Sequence, residues 1–368
     1  MKVLVTGAKG FIGRHLCRAL KRNGDTVFAF DLGNTDLELR DYIAQSDFVV
    51  HLAGINRPLN PSEFYDGNFN FTKKLLDFLA FQKNPCPILF SSSTQAALDN
   101  DYGKSKRMAE DLLLNEIPQR KVFVFRLYNV YGPGARPSYN SVIATWCDAL
   151  THDKPMVVNE KNPVIDFVYI DDVVSYFMGA IHSDLESSTK EKPILYVEPF
   201  DEVPLLDVLA LLRSFKESRK NLDLPLQRGF SKKLYATYLS YLQEGDFAYS
   251  LNPHSDERGS FTEFLHIPSY GQVSVNVSHP GVTKGNHYHE TKNEKFLCVS
   301  GSVFIKLRKV GTKEIVSYRV SESDLKVVDI PPGYTHSIST LGEKDSVTIM
   351  WANEPFDPLH PDTYHEDV

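Results

Sequence analysis

The spacing of hydrophobic residues changes character near residue 250 of the 368-residue chain. Up to that point, short apolar runs alternate with segments in which apolar residues recur at helical spacing. The predicted strands cover residues 2–6, 26–30, 48–52, 88–91 and 122–126, and two of the helices between them cover residues 11–23 and 71–82. Strands that alternate with helices predict an α/β fold, here a Rossmann-type doubly wound parallel sheet.

The C-terminal part of the chain has a different pattern. Short runs of alternating hydrophobic and polar residues occur at 261–265, 272–277, 295–299, 302–307, 315–320, 325–330 and 346–351. Many short strands separated by Gly and Pro predict an all-β sandwich or barrel. Residues 181–250 have the pattern of peripheral helices and loops, with a last helix over 230–242. We therefore predict one domain over residues 1–245 and a second over residues 246–368.

A glycine-rich turn joins the first predicted strand to the first predicted helix. Its residues are Gly7, Gly10, Phe11, Ile12 and Gly13. Glycines at such a junction let backbone N–H groups approach a pyrophosphate, so the turn predicts a dinucleotide-binding site. Asp31 ends the second strand, where a carboxylate accepts from the adenosine ribose hydroxyls and favours NADH over NADPH. Lys9 would instead attract a 2′-phosphate, which leaves the choice of coenzyme open.

Tyr102 and Lys106 belong to the segment Tyr102-Gly103-Lys104-Ser105-Lys106. On a helix, a spacing of four residues puts both side chains on one face. A free phenol has a pKa of about 10, and a neighbouring ammonium group favours the phenolate and brings this pKa nearer to neutrality. The pair is therefore predicted to transfer a proton, with Lys106 also in reach of a nicotinamide ribose.

Further motifs accompany this pair in a fixed order. They are His51-Leu52-Ala53-Gly54, the helix start at Asn68, the hydroxyl run Ser91-Ser92-Ser93-Thr94, the segment Arg126 to Pro133 and the segment Asp166 to Val173. Together they resemble the extended short-chain dehydrogenases that act on nucleotide sugars. The resemblance implies that Ser93, Tyr102 and Lys106 are catalytic, and the family's register favours Ser93 over the neighbouring hydroxyls. It also implies that Asn68 supports the proton relay.

The same resemblance implies binding roles for other residues. The residues expected at the coenzyme, besides the glycine-rich turn, are Leu52, Ala53 and Gly54. Asn129 is expected at the substrate. Members of this family often carry Arg immediately before the Asp166 position, but this chain has Ile165. The contact to the nucleotide is therefore expected from elsewhere, with Arg136 as the candidate.

Three histidines and one glutamate in the second predicted domain have the spacing of metal ligands. They are His287, His289, Glu294 and His336. His287 and His289 are two residues apart on a predicted strand, so both imidazoles leave the same face. Glu294 follows after a short turn, and His336 comes from a separate strand. Three imidazoles and one carboxylate suit a divalent transition metal such as zinc, with manganese, iron or nickel as alternatives.

The run that carries these ligands resembles the first motif of the cupin barrels. The second cupin motif departs from that family, because Leu325 and Thr340 stand where the family has a leading glycine and a trailing asparagine. The predicted fold class is therefore a Rossmann-type domain followed by an all-β cupin barrel, with metal identity and occupancy left open.

Two segments resemble the sugar-nucleotide 3,5-epimerases, which are also cupins. They run from Asp256 to Glu263 and from Lys284 to Tyr288. The resemblance implies Arg258 and Lys284 as substrate contacts, and it places the base of those epimerases at His287. A ligated imidazole has no free lone pair with which to take a proton. Either another group is therefore the base while the metal polarises the ketone, or the site works partly without metal.

Bulk properties exclude several other functions. The formal charge of −7 argues against a nucleic-acid partner or an anionic membrane surface, which need clustered Lys and Arg. No apolar run approaches the ~20 residues that span a bilayer. A predicted strand begins at Lys2, so no signal peptide is expected, and the four cysteines lack CxxC spacing and are expected to be reduced. These features predict a cytoplasmic protein.

Over both domains, the sequence resembles the bifunctional dehydrogenase–cupin enzymes of UDP-N-acetyl-L-fucosamine synthesis, a route to capsule and O-antigen polysaccharides. The resemblance implies that the cupin epimerises C3 of a UDP-2-acetamido-2,6-dideoxy-4-keto-hexose. The dehydrogenase domain is then expected to reduce the C4 ketone, which gives UDP-N-acetyl-6-deoxy-L-talosamine. The resemblance favours NADPH as the coenzyme, and it implies a homodimer.

Two alternatives belong to other functional classes. The first is a single-function 4-keto sugar reductase in which the cupin is a structural or dimerising module. The second is a binding or regulatory protein that holds a dinucleotide without catalysis. The intact pair of Tyr102 and Lys106 argues against the second alternative.

Overall fold

The protein is described by a computed structural model that covers residues 1–158, 161–182, 185–227, 229–243, 246–247, 249–289 and 292–368. The chain folds into two compact units. The first unit is Met1–Ala210 with Ala236–Leu242, and the second is Leu211–Tyr235 with Gln243–Val368. The domain boundary that we expected after residue 245 remains a prediction. In the structure, residues 211–235 group with the second unit.

A parallel sheet forms the centre of the first unit. Its strands are β1 (Lys2–Thr6), β2 (Thr26–Phe30), β3 (Phe48–His51), β4 (Ile88–Ser93) and β5 (Val122–Leu127). Their order in the sheet is β2-β1-β3-β4-β5, with every neighbouring pair parallel. Strands are therefore added on one side of β1 first and then, from β3 onward, on its other side, which makes a switch point between β1 and β3. Ligands of doubly wound sheets bind at the carboxyl ends of the strands beside such a switch point.

The central strand β1 is apolar throughout because both faces of the sheet are covered. Val3 and Val5 pack in one hydrophobic cluster with Leu16 and Phe177, whereas Leu4 points the other way into a second cluster. The helices of this unit and the next are α1 (Phe11–Arg22), α2 (Asp36–Gln45), α3 (Ser62–Phe64), α4 (Phe71–Phe81), α5 (Asp101–Leu114), α6 (Val142–Thr151), α7 (Ile170–Ile181), α8 (Leu205–Asn221) and α9 (Phe230–Leu239). This arrangement confirms the predicted Rossmann-type fold.

A smaller sheet in the first unit was missing from the sequence prediction. Its strands are β6 (Asn129–Tyr131), β7 (Val164–Tyr169) and β8 (Asp201–Pro204), in the order β6-β7-β8. The strand β8 lies in a stretch that the pattern assigned to helices and loops. Its sequence, Asp-Glu-Val-Pro, has no apolar alternation that would distinguish a strand from a loop.

The second unit contains two antiparallel sheets that enclose a hydrophobic core. Their strands are β9 (His254–Asp256), β10 (Gly259–Ile267), β11 (Gly271–Ser278), β12 (Thr283–Tyr288), β13 (Glu294–Ser300), β14 (Ser302–Lys309), β15 (Ile315–Ser321), β16 (Val327–Ile330), β17 (Tyr334–Leu341), β18 (Ser346–Ala352) and β19 (Tyr364–His365). One sheet has the order β16-β13-β18-β11-β10-β9 and the other β15-β14-β17-β12-β19. Phe296, Val303, Ile305 and Ile338 belong to the core cluster. The predicted cupin-type β domain is confirmed.

Two further findings concern the cysteines and the helices. All four cysteines are free thiols in the structure, and Cys86, Cys147 and Cys298 are buried. Within the described part of the chain, no helix has both the length and the apolar character needed to cross a bilayer.

A buried histidine connects the first and third strands to α4. His51 is fully buried, with its Nδ1 atom 2.7 Å from the hydroxyl of Thr6 and its Nε2 atom 2.9 Å from the hydroxyl of Thr72. Burial lowers the pKa of His51 to about 3, and the positive charge of Lys106 acts in the same direction. The imidazole is therefore neutral in the folded protein at neutral pH.

This depressed pKa predicts a loss of stability in mild acid. Between a pKa of about 6.5 in the unfolded chain and about 3 in the folded chain, the unfolded state binds one proton more than the folded state. His51 should therefore reduce the free energy of unfolding by about 1.4 kcal/mol for each pH unit as the pH falls through this window. Urea unfolding of the full chain at several pH values, in the wild type and in His51→Gln, measures this contribution.

The matched control is His360→Gln, because the His360 side chain is 84% exposed. We expect a shallower pH dependence in His51→Gln alone. Equal slopes in the wild type and His51→Gln would contradict the assignment of a buried neutral imidazole.

Candidate coenzyme site and candidate metal centre

The turn after β1 packs closely against the loop after β3. Gly7 has a φ of +69°, and a Cβ atom there would lie 2.8 Å from the backbone nitrogen of Ala53. A Cβ atom on Gly13 would lie 2.2 Å from the carbonyl oxygen of Gly7. Side chains at these two glycines would therefore force apart the turn, the helix α1 and the loop at the switch point of the sheet.

Two features of this turn suit an anionic dinucleotide. Gly10 caps the N-terminus of α1 without offering a side chain to its N–H groups. Asp31 accepts hydrogen bonds from the backbone N–H groups of Lys9 at 2.6 Å and of Leu32 at 2.8 Å. A carboxylate has about four lone-pair sites, so Asp31 retains capacity for ribose hydroxyls beside the turn.

Tyr102 and Ser93 lie together at the N-terminal end of α5. Asn100 caps this helix by accepting from the N–H group of Gly103 at 2.7 Å. A Cβ atom on Gly103 would lie 2.3 Å from the carbonyl oxygen of Gln95, so glycine at this position lets α5 approach the turn after β4. The hydroxyl of Ser93 lies near enough to the phenol of Tyr102 to influence its pKa.

Lys106 is buried one turn further along α5. Its Nζ atom donates to the carbonyl oxygen of Ser91 at 2.8 Å and lies 4.6 Å from the ring centroid of Phe90. Burial lowers the pKa of Lys106 to about 8, although Glu110 acts in the opposite direction. Burial also raises the pKa of Tyr102, with the nearby Ser93 hydroxyl opposing it. The net shift of Tyr102 therefore runs opposite to the lowering that we expected from its neighbouring lysine.

Asn68 lies in a π-helical turn, Tyr65–Asn70, directly before α4. Its amide nitrogen donates to the carbonyl oxygen of Ile55 and to the hydroxyl of Ser105, both at 2.9 Å. A Cβ atom on Gly54 would lie 2.6 Å from Oδ1 of Asn68 and 3.4 Å from Nζ of Lys106. The loop after β3, Asn68 and Lys106 therefore meet at one point. The prediction placed Asn68 at an ordinary helix start, whereas a π-turn is typical of functional sites.

A buried glutamate beside this site was missing from the sequence prediction. Glu110 accepts from Arg126 through Nε at 2.9 Å and Nη2 at 2.7 Å, and its side chain is 2% exposed. The hydroxyl of Ser92 also donates to Glu110. Ser92 is therefore engaged with Glu110, and the catalytic role of Ser93 stays a prediction. The signal in the sequence is that Glu110 continues the four-residue spacing of Tyr102 and Lys106.

The predicted substrate residues of the first unit lie at its surface. Asn129 donates from its side chain to the carbonyl oxygen of Asp166 at 3.1 Å. The guanidinium carbon of Arg136 lies 5.3 Å from the ring centroid of Tyr139, and Tyr139 is near enough to contribute to the raised pKa of Tyr102. Their assignment to the substrate stays a prediction.

The four predicted metal ligands come together in the second unit. Each of His287, His289, Glu294 and His336 offers one ligand atom, and these atoms all lie within 4.8 Å of one another. His287 on β12 stands opposite His336 on β17. Asn286 is an extra residue in β12, with a φ of +57°, where the register shifts between Gly285 and His287. Glu294 is the first residue of β13.

Several observations show that these residues fit a cation. Nε2 of His289 and Oε2 of Glu294 are buried without a hydrogen-bond partner and face each other at 3.4 Å. Nδ1 of His289 lies 2.5 Å from the carbonyl oxygen of Asp362, which fixes the tautomer that leaves Nε2 free as a ligand. Burial lowers the pKa of His287 to about 4. Burial raises the pKa of Glu294, but the neighbouring imidazoles of His289 and His336 outweigh it and bring this pKa to about 2.

A cavity of about 460 Å³ adjoins this cluster and is lined by the four candidate ligands. Lys284 also lines it, and its Nζ atom donates to Oδ1 of Asn276 at 2.9 Å and to the carbonyl oxygen of Val277 at 3.0 Å. Arg258 instead forms a two-pronged contact with Asp256, at 3.0 Å and 2.6 Å, in the exposed turn between β9 and β10. Lys284 thus lines the cavity, whereas Arg258 pairs with Asp256 at the surface.

Comparisons with known proteins match both units. The profile of the NAD dependent epimerase/dehydratase family matches residues 3–191, and that of the polysaccharide biosynthesis C-terminal domain matches residues 254–364. A UDP-2-acetamido-2,6-beta-L-arabino-hexul-4-ose reductase from Pseudomonas aeruginosa is 42% identical over 99% of this chain and 98% of its own length.

Solved structures give the same picture. The capsular polysaccharide assembling protein CapF from Staphylococcus aureus is 45% identical with a TM-score of 0.88, and the match covers 100% of both chains. A UDP-glucuronic acid 4-epimerase from Bacillus cereus, in complex with NAD, has a TM-score of 0.55 and covers 68% of this chain and 100% of its own. At 21% identity, this second likeness shows the fold alone.

The buried ion pair beside the candidate coenzyme site gives a testable prediction. Replacing Glu110 with Gln removes the negative charge but keeps the size of the side chain, which leaves Arg126 without its counter-charge. We expect the free energy of unfolding to fall by about 3 kcal/mol, because loss of one partner leaves an uncompensated charge in a poorly hydrated site. Urea unfolding of the full chain measures this loss.

Asp111→Asn is the matched control, because it makes the same change of charge at an exposed position of the same helix. This control should unfold like the wild type. The same urea midpoint for Glu110→Gln and the control would refute a stabilising role for the pair.

Proposed function

The chain belongs to the NAD dependent epimerase/dehydratase family, in the CapF type that carries a polysaccharide biosynthesis C-terminal domain, and from this premise we propose its function. Its first unit reduces the 4-keto group of a UDP-linked 2-acetamido-2,6-dideoxy-hexose with a reduced nicotinamide coenzyme. The name of the reductase from Pseudomonas aeruginosa supports this substrate class. The observation that carries the proposal is that the loop after β3 packs against the glycine-rich turn at Gly7 and against Asn68 and Lys106 at Gly54.

The proton chemistry follows from these side chains. When bound at the glycine-rich turn, the coenzyme supplies a hydride to C4. Tyr102 gives its phenolic proton to the C4 oxygen, and Ser93 donates a hydrogen bond to that oxygen. The positive charge of Lys106 stabilises the phenolate that remains, and Asn68 holds the loop and helix that surround it. The carboxylate of Asp31 supports NADH, because it would repel a 2′-phosphate.

We infer a second activity in the barrel, which is epimerisation at C3 of the same sugar. His287, His289, Glu294 and His336 would hold a divalent cation, with zinc the best match to three imidazoles and one carboxylate. A bound cation would act as a Lewis acid toward the negative charge that develops on the ketone oxygen. The buried atoms of His289 and Glu294 that lack partners support this assignment.

The chemistry of the substrate sets the order of the two steps. A ketone at C4 acidifies the hydrogen on C3, so a base can remove it. Reduction of the ketone ends that acidity and makes the configuration at C3 permanent. Epimerisation therefore precedes reduction, and the product is UDP-N-acetyl-6-deoxy-L-talosamine, a precursor of UDP-N-acetyl-L-fucosamine for capsule or O-antigen polysaccharide. The proposal includes a homodimer, which the resemblance implies, and a cytoplasmic location, which the bulk properties of the sequence predict.

Two variants of the full chain separate the proposed activities. Tyr102→Phe should slow coenzyme oxidation by about 100-fold or more, because it removes the proton donor, and should leave the exchange of C3 hydrogen with deuterated water intact. His336→Ala should lose bound zinc and the exchange at C3, and should still reduce a ketone that already has the inverted configuration. Absorbance of the coenzyme, NMR of the sugar and metal analysis give the three readouts.

Lys104→Ala serves as the control, because the Lys104 side chain is 45% exposed and pairs with Asp99. It should keep both activities. If His336→Ala kept wild-type turnover and product configuration, the barrel would be a structural module of a single-function reductase. A wild-type chain that reduced no 4-keto sugar nucleotide would refute the proposal itself.

A further inference from the structure

The base for epimerisation needs a side chain that is not a metal ligand. The candidate ligand histidines use their free lone pairs for the cation, so none of them can take the C3 proton while bound. The other described titratable residues that line the 460 Å³ cavity are His254, Glu263, Lys284, Lys292 and Glu354. One of them, Glu263, has a second titratable side chain directed at its carboxylate.

A β-bulge in β10 produces this contact. Glu263 pairs with Ser274, Leu265 pairs with Val273, and the register shifts between them, so Phe264 is an extra residue. His266 then pairs with Gln272. Ser274 and Gln272 are two residues apart on β11 and therefore share a face, so their partners Glu263 and His266 also share a face. Without the bulge, residues three apart on a strand would point in opposite directions.

His266 stands between two carboxylates. Its Nδ1 atom lies 3.0 Å from Oδ1 of Asp223, and its Nε2 atom lies 3.6 Å from Oε2 of Glu263. This Nε2 atom is buried without a hydrogen-bond partner. Backbone hydrogen bonds fix the group, because His266 donates to Leu222 at 2.9 Å and Leu224 donates to His266 at 2.8 Å. Asp223, His266 and Glu263 therefore form a row in which His266 and Glu263 resemble an acid–base dyad and Asp223 orients the histidine.

The other candidates are less suited to remove a proton. Nζ of Lys284 already donates to Asn276 and Val277, and an ammonium group has no lone pair to accept with. Nζ of Lys292 donates to the carbonyl oxygen of Pro361 at 3.4 Å. Among the described contacts, neither His254 nor Glu354 has a side chain that orients it.

We propose that Glu263 is the catalytic base of the barrel, that His266 and Asp223 are its positioning residues, and that Lys284 returns the proton. This assignment rests on the proposed epimerase function. The carboxylate of Glu263 takes the C3 proton, the C–H bonding electrons form the C3–C4 double bond, and the ketone oxygen gains the negative charge. A proton from the Lys284 ammonium then forms a new C3–H bond on the opposite face, and the C4 carbonyl is restored. The Lys284 amine regains a proton from solvent before the next turnover, and no electrons are gained or lost overall.

Two features of the barrel suit this two-sided transfer. Glu263 lies on β10, whereas Lys284 lies on β12 in the other sheet, so the two residues reach the cavity from different sheets. Glu263 also lines a second cavity of about 220 Å³ together with His266. This second cavity gives the protonated carboxyl a route along which it can lose its proton to solvent before the next turnover.

The test follows deuterium into C3 of a UDP-2-acetamido-2,6-dideoxy-4-keto-hexose in deuterated water, with the full chain and no reduced coenzyme. Glu263→Gln should slow this exchange by about 100-fold or more. Its zinc content should match the wild type, and it should still reduce the ketone that already has the inverted configuration. Glu257→Gln, the same change at an exposed position before β10, should exchange like the wild type.

Two replacements of His266 test the positioning role. Gln places a polar amide group near the position of Nε2, beside Glu263, whereas Asn places its amide near Nδ1 and leaves the position beside Glu263 empty. We expect His266→Gln to retain several-fold more exchange than His266→Asn, with similar KM values for both. A role in stability alone would not produce this order, so equal losses in the two variants would refute it.

The outcomes distinguish this inference from the function on which it rests. A wild-type chain that exchanges no hydrogen at C3 would refute the epimerase function. A wild-type chain that exchanges, together with a Glu263→Gln variant that exchanges equally fast, would overturn the assignment of the base and leave the epimerase function standing.

Discussion

Close packing between the turn after β1 and the loop after β3 is the constraint on which the first unit depends. Because Gly7 and Gly13 carry no side chains, the turn, α1 and the loop can meet at the switch point of the sheet. The same loop continues to Gly54, where the absence of a Cβ atom leaves room for Asn68 and Lys106. Coenzyme binding and proton transfer are thereby tied to one edge of one sheet, and a single added methyl group at these glycines would disturb both.

The second unit depends on a different feature, which is a group of buried ionisable side chains whose hydrogen-bonding capacity is not fully used within the protein. The carboxylate of Glu294 and the imidazoles of His289 and His336 lie deep in the barrel, and two of their atoms lack hydrogen-bond partners. Such an arrangement is costly unless a further charge satisfies it, and a divalent cation has the charge and coordination that the cluster lacks. Glu263 lines the same cavity as that cluster.

Much of this organisation could be predicted from the sequence, since apolar periodicity indicated both folds and motif spacing placed Tyr102 and Lys106 on one helix face. The predicted ligands converge because His287 on β12 is paired with His336 on β17, while His289 follows β12 and Glu294 begins β13. Glu110 could not be assigned, because its partners on β4 and β5 are distant in sequence. The bulge at Phe264 could not be predicted either, because one extra residue in a strand moves the His266 side chain to the other face of the sheet without changing the composition. The strands β12 and β17 were predicted from the histidine motif alone, because they carry too many polar residues for a hydrophobic pattern to identify them.

The central claim is that one ketone is used twice, first to acidify C3 and then to accept hydride at C4. NMR of the product that the full chain forms in deuterated water, with a coenzyme that carries protium, tests both uses in one molecule. The account predicts deuterium at C3 in inverted configuration and protium at C4 in a secondary alcohol. A product that kept protium and its original configuration at C3, or a sugar still oxidised at C4, would contradict it.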